Sequence, residues 1–269
     1  ARFVAPMCSV LAEPGTLEER LVRCLSDLNV ASKEWVIRQY DHEVQGASVV
    51  KPLVGPHGDG PGDAAVIRPR LDSDRGIAIA SGLCPSMADV DPYWMAVAAI
   101  DEAVRNAVCV GGDPDRTAIL DNFCWGNCHD PAKMGALVRA SQGCYDAAKA
   151  LGTPFVSGKD SLNNEFAVSQ ADAERLGLRA SGGRIAIPST LLVTAVSIVE
   201  DTRRCLTSDL KAVGNMLVLA GVLKDCWDGV DLKEMARAHS AVARIIAEGL
   251  VVSSHDCNEG GAALADRKS

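Results

Sequence analysis

The sequence predicts a packed mixed α/β protein, and three observations carry that prediction. Hydrophobic residues fill 48% of the 269 positions but aromatic ones only 4%, so a core must be built from Ala, Val, Leu and Ile. Short apolar runs of strand length alternate with longer stretches whose apolar residues recur at helical spacing. No repeat of roughly 20–50 residues and no low-complexity tract interrupts that alternation.

In chain order, Thr16 and Glu19 form an S/T-x-x-E capping box ahead of Leu21, Cys24 and Leu25, which predicts a short helix. Residues 31–40 predict a second helix, with Ser32 as cap and Trp35, Val36 and Tyr40 on one face. His42, between Asp41 and Glu43, reads as a solvated hydrogen-bonding residue, an acid/base group or a ligand. Residues 56–63 (P-H-G-D-G-P-G-D) form a glycine-rich loop suited to a linker, a lid or a site, and residues 64–68 and 77–82 read as strands.

Residues 94–110 are a strong helix, since Val97, Ile100, Ala103, Val104, Ala107 and Val108 share one spacing and Gly111-Gly112 closes it. Arg105 and Asn106 on this helix face either solvent or a site. Residues 116–120 read as a strand running into Asp121-Asn122. An acid at a strand's carboxyl end, followed by amides and glycine, is where α/β proteins place ligand contacts; an Asp-Asn turn is the plainer alternative. Asp130-Pro131 opens a helix that runs to Leu151 and stops at Gly152.

The stretch 153–164 (T-P-F-V-S-G-K-D-S-L-N-N) follows. Gly158 lets a backbone approach a ligand, Lys159 offers a charge to phosphate, Asp160 an oxygen to a hard cation, and Ser161 a hydroxyl. Two readings stand, a phosphate or metal site and a polar turn after a buried strand. The stretch is not a Walker A loop, which needs G-x-x-x-x-G-K-[ST]. Asp121 and Gly158 flank one helix, as a β-α-β unit would place them, and so read as one site. Residues 190–199 are a long strand, and 215–221 read as a buried strand opening a second domain beyond a boundary near 200–212. Residues 232–248 are a helix and 250–253 a strand, leading to His255-Asp256 and to Gly260-Gly261 at the start of a new helix. Such a Gly-Gly start offers N–H groups to an anion, while His255-Asp256 is a catalytic pair or an orienting hydrogen bond.

A net charge of −8 argues against a nucleic-acid binder or an anionic-membrane binder. No run approaches the roughly 18 apolar residues of a transmembrane helix, and the opening A-R-F-V-A-P-M lacks a signal-peptide core. The 10 cysteines are scattered through apolar segments. Cys124-x-x-x-Cys128 with His129 lacks a second pair at zinc spacing, so reduced structural thiols and a cytoplasmic protein are expected.

The segments 31–46 (A-S-K-E-W-V-I-R-Q-Y-D-H-E-V-Q-G), 49–55 (V-V-K-P-L-V-G), 63–68 (D-A-A-V-I-R), 120–127 (L-D-N-F-C-W-G-N), 151–165 (L-G-T-P-F-V-S-G-K-D-S-L-N-N-E) and 254–261 (S-H-D-C-N-E-G-G) resemble phosphoribosylformylglycinamidine synthase. That family lies in the superfamily of aminoimidazole ribonucleotide synthetase. The resemblance covers roughly residues 16–265. It implies a mixed sheet of the N-terminal synthetase type packed with helices, followed by a partial C-terminal-type α/β domain. Residues 1–48 are then a linker with short helices, 49–205 the N-terminal-type domain, and 206–269 the incomplete companion, so that the chain looks like the C-terminal half of a longer synthetase.

The activity implied is ATP-dependent conversion of formylglycinamide ribonucleotide and glutamine-derived ammonia to the amidine, ADP and phosphate, with Mg²⁺ on the polyphosphate. The implied partners are the ribonucleotide substrate, the missing N-terminal half and a glutaminase subunit or domain. With that half missing, an unpaired sheet edge suggests a homodimer. The alternatives are a non-catalytic scaffold half with a structural nucleotide site, or another ATP-dependent synthetase or kinase of the same superfamily. The family's motif puts nucleotide contacts on Asp121 and Gly158 and substrate on Ser161. Its magnesium-binding Asn is replaced by Lys159, which suits phosphate rather than metal, so either Asp160 next door takes the metal or the metal is lost. The family's G-x-T-x-x-E-x-G-G-S segment after Gly221 is also replaced, by Lys224-Asp225-Cys226-Trp227.

Overall fold

In the computed structural model, the described residues are 15–28, 30–178, 180, 182–221 and 230–257. The described residues begin with α1 (Leu17–Ser26) and the single turn α2 (Glu34–Ile37), followed by β1 (Ser48–Val50), β2 (Leu53–Val54), β3 (Gly60–Pro61), β4 (Ala64–Ile67) and β5 (Gly76–Leu83). Next come α3 (Pro92–Cys109), β6 (Thr117–Cys124), α4 (Pro131–Leu151), β7 (Phe155–Ser161), β8 (Glu165–Ala167), α5 (Gln170–Arg175), β9 (Arg184–Ala186), β10 (Thr190–Val199) and α6 (Leu232–Ala247). This is the mixed α/β fold the alternation predicts. Among the described residues no helix is long and apolar enough to cross a membrane.

Six strands form one sheet in the order β1-β4-β5-β10-β6-β7. All neighbours are antiparallel except β6 and β7, which run parallel with α4 as their crossover. β10 is the axis. Its T-L-L-V-T-A-V-S-I-V sequence alternates at period two, so Leu191, Val193, Ala195, Ser197 and Val199 are buried on one face. α3 packs on β5 and β10 over that face, and α4 and α6 pack on α3. Enclosed by these neighbours, α3 is buried nearly all round. Gly82 is required for this contact, because a Cβ there would stand 2.7 Å from the Ala103 nitrogen.

The helix ends follow the residues that predicted them. Thr16 and Glu19 make both halves of a capping box, Asp130 caps α4 with Pro131 behind it, and Gly152 closes α4 in the left-handed conformation at φ +71°. α3 begins two residues earlier than predicted, at Pro92, because Asp91 accepts a hydrogen bond from the Tyr93 amide. Arg139 of α4 grips the same Asp91 carboxylate with two nitrogens, at 2.7 and 3.0 Å, and so ties the two helices together.

Four local expectations are corrected. The helix expected over 31–40 is only the turn α2; Ser32 does accept from the Glu34 amide, but Trp35 and Tyr40 stay exposed. So short a helix has too few bonds to persist without a surface to pack against. The strand expected to end at residue 120 continues to Cys124, because β10 pairs with it from Thr117 to Cys124. Asp121 therefore lies within the strand. β7 is neither buried nor followed at Gly158 by a turn: it is an exposed edge strand that carries Gly158–Ser161 in its ladder. Residues 215–220 and 250–253 form no strand, since no neighbour among the described residues pairs with them, and Met216 and Val218 are exposed. The segment 224–227 and Gly260-Gly261 lie outside the described residues.

Candidate functional site

The β6–β7 ladder sets Asp121 beside Gly158, Asn122 beside Lys159, Phe123 beside Asp160 and Cys124 beside Ser161. The β-α-β reading thus places its two strand segments together. Residues opposite one another in a sheet share a face, and successive residues alternate. Ile119 and Phe123 belong to the core under the helices, so Asp121, Gly158 and Asp160 lie on the helix side. Lys159 and Ser161 lie on the other side, where the Lys159 ammonium donates to the Ser161 hydroxyl. The sequence reading pooled all five residues; alternation divides them three and two.

On the helix side Gly158 is a vacancy made for Asp121. A Cβ at 158 would stand 2.8 Å from the Asp121 carboxyl carbon. Asp160 lies one step further along the same face and accepts from the Phe123 amide at 3.4 Å. Burial, and then the charge of Asp160, hold the Asp121 carboxyl above the usual carboxylate range. The pair is shallow: Asp121 is half-buried and Asp160 exposed.

A second acidic cluster is deep, and its members come from four places in the sequence. β4 pairs with β5 only as far as Ala64 and Ala80, so Ser81 and Leu83 extend past the end of that ladder. Two side chains one turn apart on α3 take over there. Asn106 donates to the Ser81 carbonyl at 3.0 Å, and Glu102 accepts from the Leu83 amide at 2.7 Å and from the Cys84 thiol. Asp256, on the segment beyond α6, lies close enough to Glu102 and to Asp63, immediately before β4, to feel the charge of both. His255 Nδ1 lies 2.5 Å from Asp63 Oδ1 and 3.9 Å from Asp256 Oδ1. Donor atoms of Asp63, His255 and Asp256 all fall within 4.8 Å of one another.

Both aspartate side chains are only 2% exposed. Burial pushes the Asp256 carboxyl up to about 6, and the nearby Arg105 guanidinium limits the rise. Among the described residues, Asp63 Oδ2 and Asn106 Oδ1 are buried with no hydrogen-bond partner. An unpaired buried oxygen costs on the order of 1–3 kcal/mol. Two buried carboxylates with ligand atoms this close, and with Asp63 Oδ2 unspent, suit a hard divalent cation, so Asp63 and Asp256 fit Mg²⁺, with Glu102 close enough for its charge to act on Asp256. The sequence reading left Asn106 and Arg105 between solvent and site and named His255-Asp256, but it missed Asp63 and Glu102 as site residues. The available signal was Asp101, Glu102, Arg105 and Asn106 set in an otherwise apolar helix, since charged residues are almost never buried without a partner.

Comparison with known proteins places the chain in a family. The profile of the family described as AIR synthase related protein, N-terminal domain, matches residues 61–199. A curated relative, phosphoribosylformylglycinamidine synthase subunit PurL of Anaeromyxobacter sp. (strain K), is 34% identical over 96% of this chain and 33% of its own length. The PurL subunit of Methanocaldococcus jannaschii is 32% identical over 94% of this chain and 34% of its own. The chain thus spans about a third of the length of the curated relatives it matches. Among solved structures, T. maritima PurL complexed with FGAR superposes at a TM-score of 0.51 with 25% identity, covering 80% of this chain and 29% of that one. T. maritima PurL complexed with ATP superposes at 0.54 with 23% identity, over 81% of this chain and 30% of that one, and so supports the fold. With a profile match across more than half of its residues and the same sheet beneath it, the chain belongs to the AIR synthase related family.

Proposed function

We propose that the chain is part of the ATP-dependent ligase that converts formylglycinamide ribonucleotide, ATP and glutamine-derived ammonia to formylglycinamidine ribonucleotide, ADP and phosphate. The observation that carries this reading is 34% identity to a PurL subunit across 96% of the chain. The partners proposed with it are the rest of the synthetase, a glutaminase subunit or domain that supplies ammonia, and, for the chain alone, a second copy joined along an exposed sheet edge. Residues 1–48, 49–205 and 206–269 are proposed as linker, N-terminal-type domain and incomplete companion. The enzyme is proposed to work in the cytoplasm.

Asp63 and Asp256 would hold the magnesium ion. When bound, it would neutralise charge on the nucleotide's phosphates. The protein's own contributions are positional. Glu102 and Asn106 are fixed by the Leu83 and Ser81 backbone, and His255 holds Asp63 by a hydrogen bond. Asp121 and Gly158 are proposed as nucleotide contacts on the helix side. Lys159 is proposed for phosphate and Ser161 for substrate on the opposite side, where they already touch. Asp160, next to the position where the family ligates metal, competes with the deep cluster for that role.

A second reading is favoured by Lys159 itself: an ammonium where the family ligates metal suits a structural nucleotide site in a scaffold half. Calorimetric titration of ADP and ATP, with and without Mg²⁺, separates the two. Magnesium-dependent ATP binding, together with ATP- and ammonia-dependent turnover once the missing part of the synthetase is added, supports the ligase reading. Tight ADP binding indifferent to Mg²⁺, with turnover unaffected by substitutions at this site, supports the scaffold.

A further inference from the structure

The deep cluster contains its own cation. Arg105, on α3 between Glu102 and the helix end, directs one guanidinium nitrogen to Asp101 one turn back and another to Asp256 at 3.3 Å. Its Nε is buried and unpartnered. Asp101 is in turn gripped by His239 of α6, Nε2 to Oδ1 at 2.9 Å. The guanidinium therefore bridges two nearly buried carboxylates, one on its own helix and one on the segment that follows α6. Without a metal it supplies positive charge to Asp256. The two arms are unequal: the Asp101 contact is the closer and is backed by His239, while the Asp256 contact is at the long end of hydrogen-bond range.

We propose that Arg105 is a positioning residue that acts as a built-in counter-ion, holding Asp256 in place until a divalent cation displaces it and leaves it paired with Asp101. This rests on the metal reading of the cluster given above. The loaded site then keeps its geometry because Asp256 exchanges one positive partner for another, and the exchange sets the affinity: the cation must outcompete a guanidinium already in place. An arginine that serves packing alone predicts the opposite, since its loss would loosen Asp256 and weaken the metal.

The test is Mn²⁺ binding by the full chain, followed by calorimetry and by the loss of the free-ion electron paramagnetic resonance signal, for wild type, Arg105→Gln and Arg105→Lys. Arg105→Gln is expected to bind Mn²⁺ at least tenfold more tightly than wild type, and to melt earlier when metal-free but recover on adding Mn²⁺. Arg105→Lys, which keeps the charge but cannot fork to both carboxylates, is expected to lie between the two, and it alone decides the matter where the glutamine variant does not fold. Unchanged or weaker binding in a folded variant, with wild-type binding intact, overturns the counter-ion role and leaves the metal site standing. Absence of Mn²⁺ binding by wild type overturns both.

Discussion

The two acidic pairs of this molecule are built on opposite principles. Asp121 and Asp160 lie at the sheet's edge, share no cation among the described residues, and are given room by a missing side chain at Gly158. Asp63 and Asp256 have almost wholly buried side chains, Asp63 held by the His255 imidazole and Asp256 by the Arg105 guanidinium of α3. In both pairs one carboxyl is raised by burial, but only the deep pair pays for its desolvation with a built-in opposite charge. A shallow pair can be left to water, whereas a deep one needs a partner at all times.

The largest effect expected from probing this contrast comes from its two glycines. Gly82→Ala sets a Cβ against the Ala99 and Ala103 backbone, which cannot retreat, and should cost on the order of 4 kcal/mol or prevent folding. Gly158→Ala meets only the Asp121 side chain and should cost about 1 kcal/mol. Chemical denaturation of both checks the difference; equal losses would mean that the edge is as rigid as the core. Second in size is the metal. Asp63→Asn should weaken Mn²⁺ binding about 100-fold, roughly 2.7 kcal/mol, while Asp160→Asn changes it less than about threefold. The reverse result in a Mn²⁺ titration would return the metal to the shallow pair.

A pH effect comes next. Asp256 has a folded value of about 6 against an ordinary 3.8, so between those values the folded state holds a proton that the unfolded chain has lost. Metal-free stability should therefore fall as pH rises from about 4 to about 6, by on the order of 2 kcal/mol. Asp256→Asn should remove that slope, as denaturation midpoints of the chelated protein at each pH would show. Smallest is the oligomer: light scattering at high micromolar concentration should report a dimer, and a stable monomer there would end the edge-pairing proposal.

What could be read in the sequence was local. The Thr16 box, Asp130-Pro131 and Gly152 announced helix ends because each acts on its own backbone within a few residues. The pairing of Asp121 with Gly158 was legible because a single helix separates two strands, and chirality then leaves one arrangement. The division of Lys159 from Asp160 was missed because the stretch was read as a turn, where period-two alternation does not apply. The deep cluster was hidden for a different reason. Asp63 and Asp256 lie far apart in the sequence, and although Asp101, Glu102, Arg105 and Asn106 mark one side of α3, nothing local in the sequence shows which distant residues that side meets. The helix predicted over 31–40 failed for want of a surface, which propensity does not report.

The position of β10 has a consequence for how the protein is made. Residues 190–199 slot between β5 and β6, which precede them by most of the domain. A ribosome therefore releases both flanking strands long before the strand that joins them, and until it arrives each presents an open edge and the apolar underside meant for α3. Assembly must wait on a late, distant pairing, the kind of topology that slows folding. Chaperone dependence during synthesis, rather than any weakness of the finished sheet, is where this arrangement should be felt.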